Sequence, residues 1–287
     1  MDFRIAAALM ALLAAACARE SRTAEAPAAS AAAGVKLHVI DCGSIDIKDF
    51  AAFSDEGAFD GLAGTAVVPC FLIRHPDGDL MWDAGLPASL VESGPTGEGG
   101  FTTSLARTIE DQLAELGLKP ADIEFFAMSH SHFDHSGQAA TFAGSTWLVD
   151  PAEFEWMYKE ETAASGLVVP ALLEAMKTAP RRDVTEDLDL FGDGKVRLVR
   201  TPGHTPGHMS LLVRLDKAGP VLLTGDLYHL PRSRTERRVP TFNVDRAMTL
   251  ASMDKFEALA TETGARVVIQ HVAGDVAGLP AFPNALE

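Results

Sequence analysis

The sequence predicts an α/β fold of two packed mixed β-sheets with helices on the outer faces, and three observations predict it. Short apolar or β-branched runs bounded by Gly, Pro or Asp cluster both early and late in the chain. Segments with helical periodicity lie between and after them, where they can cover the sheets. Setting aside the first 34 residues leaves about 250, the length of one large single-core domain.

The opening stretch, MDFRIAAALMALLAAAC (1–17), carries Arg4 and then an apolar run, Ile5–Ala16, too short to span a bilayer. It reads as a secretory signal. Its end, Leu13-Ala14-Ala15-Ala16-Cys17, resembles a bacterial lipobox with Ala14 where Leu is usual. The protein is thus expected to be exported to the periplasm and anchored through a lipid on Cys17, the alternative being cleavage to a soluble periplasmic product. Residues 18–34 are Ala-, Ser- and Pro-rich with no bulky apolar side chain, so they cannot bury a core and read as a disordered tether. Residues 35–287 form the predicted catalytic domain.

Within that domain, runs with strand character fall at 35–41, 66–73, 79–83, 123–129, 146–149, 195–201, 209–215, 220–224 and 266–270. His75-Pro76-Asp77-Gly78 and Asp216–Pro220 have hairpin-turn composition. Leu105, Ile109, Leu113 and Leu116 give one apolar face to a helix over 104–116, with Gly117 as its stop. A second helix is predicted over 245–263, capped by Asp245 and ended by Gly264. A third, over 151–178, is expected in two pieces broken at Ser165-Gly166.

Four of the strands end in residues that ligate metals. The segment AMSHSHFDHSGQ (127–138) follows one of them and holds His130, His132, Asp134 and His135 within six positions. His204 follows the strand at 195–201, Asp226 that at 220–224, and His271 that at 266–270. Imidazole nitrogen and carboxylate oxygen are the donors zinc takes, and a catalytic site leaves a position for water. One short turn can offer two residues to one ion and two to its neighbour, and the downstream residues then complete both sets. His208 reads as a supporting or packing residue, and His38 and His75 need no role.

At these residues the chain resembles the metallo-β-lactamase superfamily, in order from about residue 36 to 275. The resemblance implies an αββα sandwich with a dinuclear zinc site, two Zn2+ sharing a bridging hydroxide. It gives His130, His132 and His204 to the first ion, Asp134, His135 and His271 to the second, and Asp226 to both. The stretches DCGSIDIKDFAAFSDEG, CFLIRHPDGDLMWDAGLP and GDLYHLPRSRTERRVPTFN look like the exported branch of the N-acyl-homoserine lactonases, which open the ring of bacterial quorum-sensing signals. That implies a quorum-quenching hydrolase in which Asp134 also orients the hydroxide and shuttles its proton to the leaving oxygen. Better-known members carry a tyrosine three residues after the bridging aspartate. Here that position is His229, with Tyr228 one residue earlier, and either could approach the substrate carbonyl.

The expected partner is a small lactone or ester. A formal net charge of −16 disfavours nucleic acid, and membrane contact is expected only through the N-terminal lipid. Asp226 counts against a true β-lactamase, which lacks that bridging carboxylate. Sixteen residues after His271 leave no room for the helical domain of a glyoxalase II. Two alternatives stand: a hydrolase of other carboxylic or phosphoric esters, and an exported zinc-binding lipoprotein without turnover. The basic run Arg232, Arg234, Arg237 and Arg238 reads as a solvated loop, the rival being a lid or a contact with anionic lipid. Phe50, Phe53, Phe59, Trp156 and Met157 are core residues or an acyl-chain pocket. Cys42 and Cys70 are open between free thiols and a disulfide.

Overall fold

The computed structural model describes residues 34–287; the predicted signal and all of the predicted tether but Gly34 lie outside the described residues. The first half of the domain contributes strands β1 (Lys36–Ile47), β2 (Gly64–His75), β3 (Gly78–Trp82), β4 (Thr96–Glu98), β5 (Phe101–Ser104), β6 (Phe125–Ala127), β7 (Thr146–Val149) and β8 (Arg181–Asp183). These form one sheet in the order β4-β5-β1-β2-β3-β6-β7-β8. The second half supplies β9 (Leu188–Asp189), β10 (Val196–Arg200), β11 (Met209–Leu215), β12 (Gly219–Leu223) and β13 (Arg266–Val268), ordered β13-β12-β11-β10-β9 in a second sheet. A last short strand, β14 (Ala285–Leu286), returns to pair with β1 of the first sheet.

Period-two alternation explains the layering. Leu37, Phe71, Ile73, Leu80, Trp82, Ala127 and Leu148 on the first sheet bury against Val196, Leu198, Leu211, Val213, Val221, Leu223 and Val268 on the second. The opposite face of the first sheet, with Cys70, Leu72, Phe126 and Trp147, is covered by helical residues such as Ile109, Leu113 and Leu173. The outer face of the second, with Val199, Leu212 and Leu222, is covered by Met253, Phe256 and Ala260 of the helix Arg246–Thr263. The result is the predicted αββα sandwich.

Both hairpins form where composition placed them, β2 to β3 and β11 to β12. The last long helix keeps its predicted ends: the Asp245 side chain accepts from Met248 N, and Gly264 closes it at φ 63°. Two helical expectations are corrected. The helix predicted over 104–116 spans only Ile109–Glu115, because Phe101–Ser104 pairs with β1 as a strand and Thr108 caps the later start. The 151–178 segment has three pieces, Pro151–Met157, Glu160–Ala164 and a 3-10 stretch Pro170–Thr178. Pro170 starts the last, and Tyr158 Oη donates to Leu173 O at 2.9 Å, folding it back on the first. Cys42 and Cys70 are joined in a disulfide between β1 and β2. It sits beside the β1 bulge at Asp41–Ser44, where Gly43 at φ 117° lets Leu86 approach.

Candidate metal centre

The two sheets deliver their C-terminal strand ends to one edge of the sandwich. There β6 leads into His130, His132, Asp134 and His135, β10 into His204, β12 into Asp226, and β13 into His271. All seven are buried, and their donor atoms form two groups: His130, His132, His204 and Asp226, and Asp134, His135 and His271. Within each group the atoms lie within 4.8 Å of one another. Asp226 faces both. Its Oδ2 stands 3.6 Å from both His130 Nε2 and His204 Nε2, while its Oδ1 stands 3.2 Å from His135 Nε2 and 2.8 Å from His271 Nε2.

Residues that sequence reasoning passed over aim these side chains. Asp83, at the end of β3, accepts from Ser129 N (2.6 Å), from Gln270 Nε2 (2.8 Å) and from His135 Nδ1 (3.1 Å), which turns His135 Nε2 to the centre. His271 Nδ1 donates to Val67 O at 2.8 Å, freeing its Nε2 in the same way. His208, read as a supporting or packing residue, supports: its Nε2 accepts from Asp226 N at 2.9 Å while its Nδ1 reaches Thr201 O at 3.0 Å. The only sequence signal for Asp83 was an acid ending an apolar strand.

Burial and mutual contact divide the imidazoles into two kinds. Burial, reinforced by neighbouring histidines, holds His130 and His204 well below the ordinary range, so both are neutral. Burial acts the same way on His135 and His271, but the facing Asp226 carboxylate outweighs it and raises both. Burial would raise Asp226 itself, yet the imidazoles of His271 and His135 hold it well below the carboxylate range. His204 turns its Nε2 into the same space, 3.2 Å from His132 Nδ1. The ring nitrogens also face one another, His130 Nε2 at 2.9 Å from His132 Nδ1 and His135 Nε2 at 3.2 Å from His271 Nε2, an arrangement that is costly unless cations lie between them. Nitrogen and carboxylate donors in two converging sets fit divalent metal ions.

The centre forms the floor of a cavity of about 660 Å³, reached by His132, Asp134, Asp226, His229 and His271 and walled by Ile45, Ile47, Phe50, Phe53, Phe133 and Phe242. His229 lies on the floor: its Nε2 is 3.0 Å from Asp226 Oδ2 and has no hydrogen-bond partner among the described residues. Its ring packs between Phe53 and Phe242, at 5.2 and 5.6 Å between centroids. The expectation for Tyr228 is corrected. Its backbone is extended, so its side chain takes the opposite side from His229, and its buried hydroxyl donates to Glu257 at 3.0 Å. Of the other aromatic candidates, Phe50 and Phe53 line the cavity, whereas Phe59 and Met157 are fully buried core and Trp156 packs at its margin.

Two loops far apart in sequence bring Phe53 and Phe242 together in the aromatic wall. Asp55 N donates to Val239 O and Thr241 N to Ala52 O, each at 2.8 Å, and Phe53 meets Phe242 edge-on at 5.3 Å. Arg246 bonds Asp55 at 2.6 Å and Glu56 at 2.8 Å, and Arg238 pairs with Glu56. The basic run is paired rather than free: Arg232 and Arg234 lie on the helix Pro231–Glu236 and pair with Glu236 and Glu257, while Arg237, just past the helix end, pairs with Asp254.

Comparison with known proteins agrees with this geometry. The chain is 33% identical over 264 residues to the N-acyl homoserine lactonase AttM of Azorhizobium caulinodans, covering 88% of this chain and 97% of that one. A solved N-acyl homoserine lactone hydrolase, with the product N-hexanoyl-L-homoserine at its catalytic metal centre, shares the fold at TM-score 0.74 and 24% identity, over 88% and 98% of the two chains. AidC, a dizinc quorum-quenching lactonase, shares it at TM-score 0.62 and 17% identity, over 88% and 89%. Residues 63–271, from the start of β2 to the last residue of the centre, match the metallo-beta-lactamase superfamily, and the chain belongs to it.

Proposed function

We propose that the protein opens the lactone ring of N-acyl homoserine lactones, using two zinc ions. The observation that carries this reading is the junction of a metal-fitting floor with an aromatic, apolar wall in one cavity. A lactone head is an ester that needs hydrolysis, and its acyl tail needs an apolar surface. The relatives support the substrate class, since the AttM lactonase aligns along nearly its whole length.

His130, His132 and His204 would hold one ion, Asp134, His135 and His271 the other, with one oxygen of Asp226 toward each. When bound, zinc supplies Lewis acidity, which acidifies water and polarises an ester carbonyl. Asp134 lies on the cavity floor, where its carboxylate can orient the attacking water and carry a proton to the departing ring oxygen. His229, buried on the cavity floor beside Asp226, would turn an N–H to the substrate carbonyl, taking the place of the tyrosine of other members. Phe50, Phe53 and Phe242 would exclude water along the acyl chain.

Export to the periplasm and lipidation of Cys17 belong to the same proposal. The Cys42–Cys70 disulfide supports an oxidising compartment. Purified protein is expected to hold about two zinc per chain and to consume base in a pH-stat with a long-chain acyl homoserine lactone, with Asp134→Ala strongly impaired. Turnover of only non-lactone esters would replace the lactonase reading with a broader hydrolase. Two zinc without turnover of any ester would leave a binding protein.

A further inference from the structure

Glu153 takes no part in the chemistry above, yet it is a buried acid that joins the two loops carrying the three histidines of the first ligand group. Its Oε1 accepts from Ser131 N at 2.9 Å and from Ser131 Oγ at 2.6 Å, and its Oε2 accepts from Gly207 N at 2.9 Å. Ser131 lies between His130 and His132 on the loop that leaves the first sheet. Gly207 lies three residues past His204 on the loop that leaves the second. One carboxylate thus spans the seam between the sheets with three donors, all of them held at a side chain 3% exposed.

The surroundings fix that carboxylate in place. The helix Pro151–Met157 that carries it is capped by Asp150, which accepts from Ala152 N at 2.8 Å and from Arg200 Nε, at the end of β10, at 2.6 Å. The Gly207 backbone lies so close to this helix that a Cβ there would fall 2.5 Å from Glu153 Cβ and 2.6 Å from Asp150 Cβ. The approach that makes the Gly207 bond requires glycine.

We propose that Glu153 is a positioning residue that holds His130, His132 and His204 in register, and so sets the affinity of the first metal group while leaving the second largely alone. The inference rests on the two-metal reading. The second group has supports of its own, since His135 is aimed by Asp83 and His271 by Val67 O. Every partner of Glu153 is a hydrogen donor. Glu153→Gln keeps the shape of the side chain but sets an amide NH2 against an N–H on one side of the seam.

Metal-free protein would be titrated with Co2+, followed by its visible absorption, and with Zn2+ against a chromogenic chelator. Glu153→Gln is expected to keep one tight equivalent and to bind the other about 10- to 100-fold more weakly. Ser131→Ala, which removes one donor and keeps Ser131 N, is expected to show a smaller loss at the same equivalent, and it decides the matter if Glu153→Gln does not fold. A folded variant that binds both equivalents as wild type does, or loses both alike, overturns the inference, since a merely structural role weakens the whole protein without choosing between ions. Wild-type protein that takes fewer than two equivalents overturns the two-metal reading and this inference with it.

Discussion

Replacing Asp83 tests whether the centre is built before metal arrives. Asp83 is fully buried at φ 63°, a left-handed conformation that Asp tolerates better than Ala. Asp83→Ala strips the acceptor from three donors, Ser129 N, Gln270 Nε2 and His135 Nδ1. At about 1 kcal/mol or more for each donor left unpaired, plus about 1 kcal/mol for the backbone, the loss is about 4 kcal/mol. Asp83→Asn keeps the backbone and the Ser129 bond but turns an NH2 toward Gln270. The Gln270 amide cannot flip to meet it, because its Oε1 already accepts from Gly225 N at 2.9 Å and Trp82 Nε1 at 3.2 Å. About half the loss is expected there, about 2 kcal/mol. Urea unfolding of chelator-treated protein reads both values from the midpoint at constant slope. An Asp83→Ala variant that loses less than about 1 kcal/mol would refute the view that this carboxylate anchors the ligand loops.

Three other outcomes follow from the same geometry. His229→Ala should lower kcat on acyl homoserine lactones by about 100-fold with the metal content unchanged, and an unaltered kcat would remove His229 from the reaction. Phe53→Ala opens the cavity wall; losing contact with about two methylenes of a decanoyl chain should raise KM about tenfold for that lactone while the butanoyl KM stays put. Glu257 is held below its ordinary 4.5 first by its Arg234 hydrogen bonds, against some burial, and then by the Tyr228 hydroxyl. A lowered folded-state value means the contribution is complete above about pH 4.5 and fades as pH falls toward the folded value. The difference in unfolding midpoint between wild type and Glu257→Gln should therefore be level near neutrality and shrink in acid; a difference that grows in acid would contradict the sign.

The layers and the ligand cluster were legible because each is written locally. Period-two apolar runs announce strands, and metal donors at four strand ends have few other uses. The helix Arg246–Thr263 was legible to its ends, since Asp245 and Gly264 act within one turn. Strand β5 was missed because Phe101-Thr102-Thr103-Ser104 owes its conformation to pairing with β1 rather than to its own apolar pattern. Asp83 and Glu153 were passed over for a related reason. Their partners lie 46, 187, 22 and 54 residues away, and an isolated acid carries no mark of what it will meet. Tyr228 and His229 could not be separated by sequence, because the choice turns on which side of an extended backbone each one takes.

The clasp between the Asp55–Glu56 loop and the Arg238–Arg246 segment assigns the cavity's two tasks to different parts of the chain. Reactivity is seated in strand termini that cannot shift without dismantling the sandwich. Selectivity for the tail is an attachment, fastened from outside by charged side chains in contact with water. Lengthening, shortening or repadding those loops would change which molecules are admitted, and the two tasks meet where the rings of Phe53 and Phe242 rest on His229 and His204.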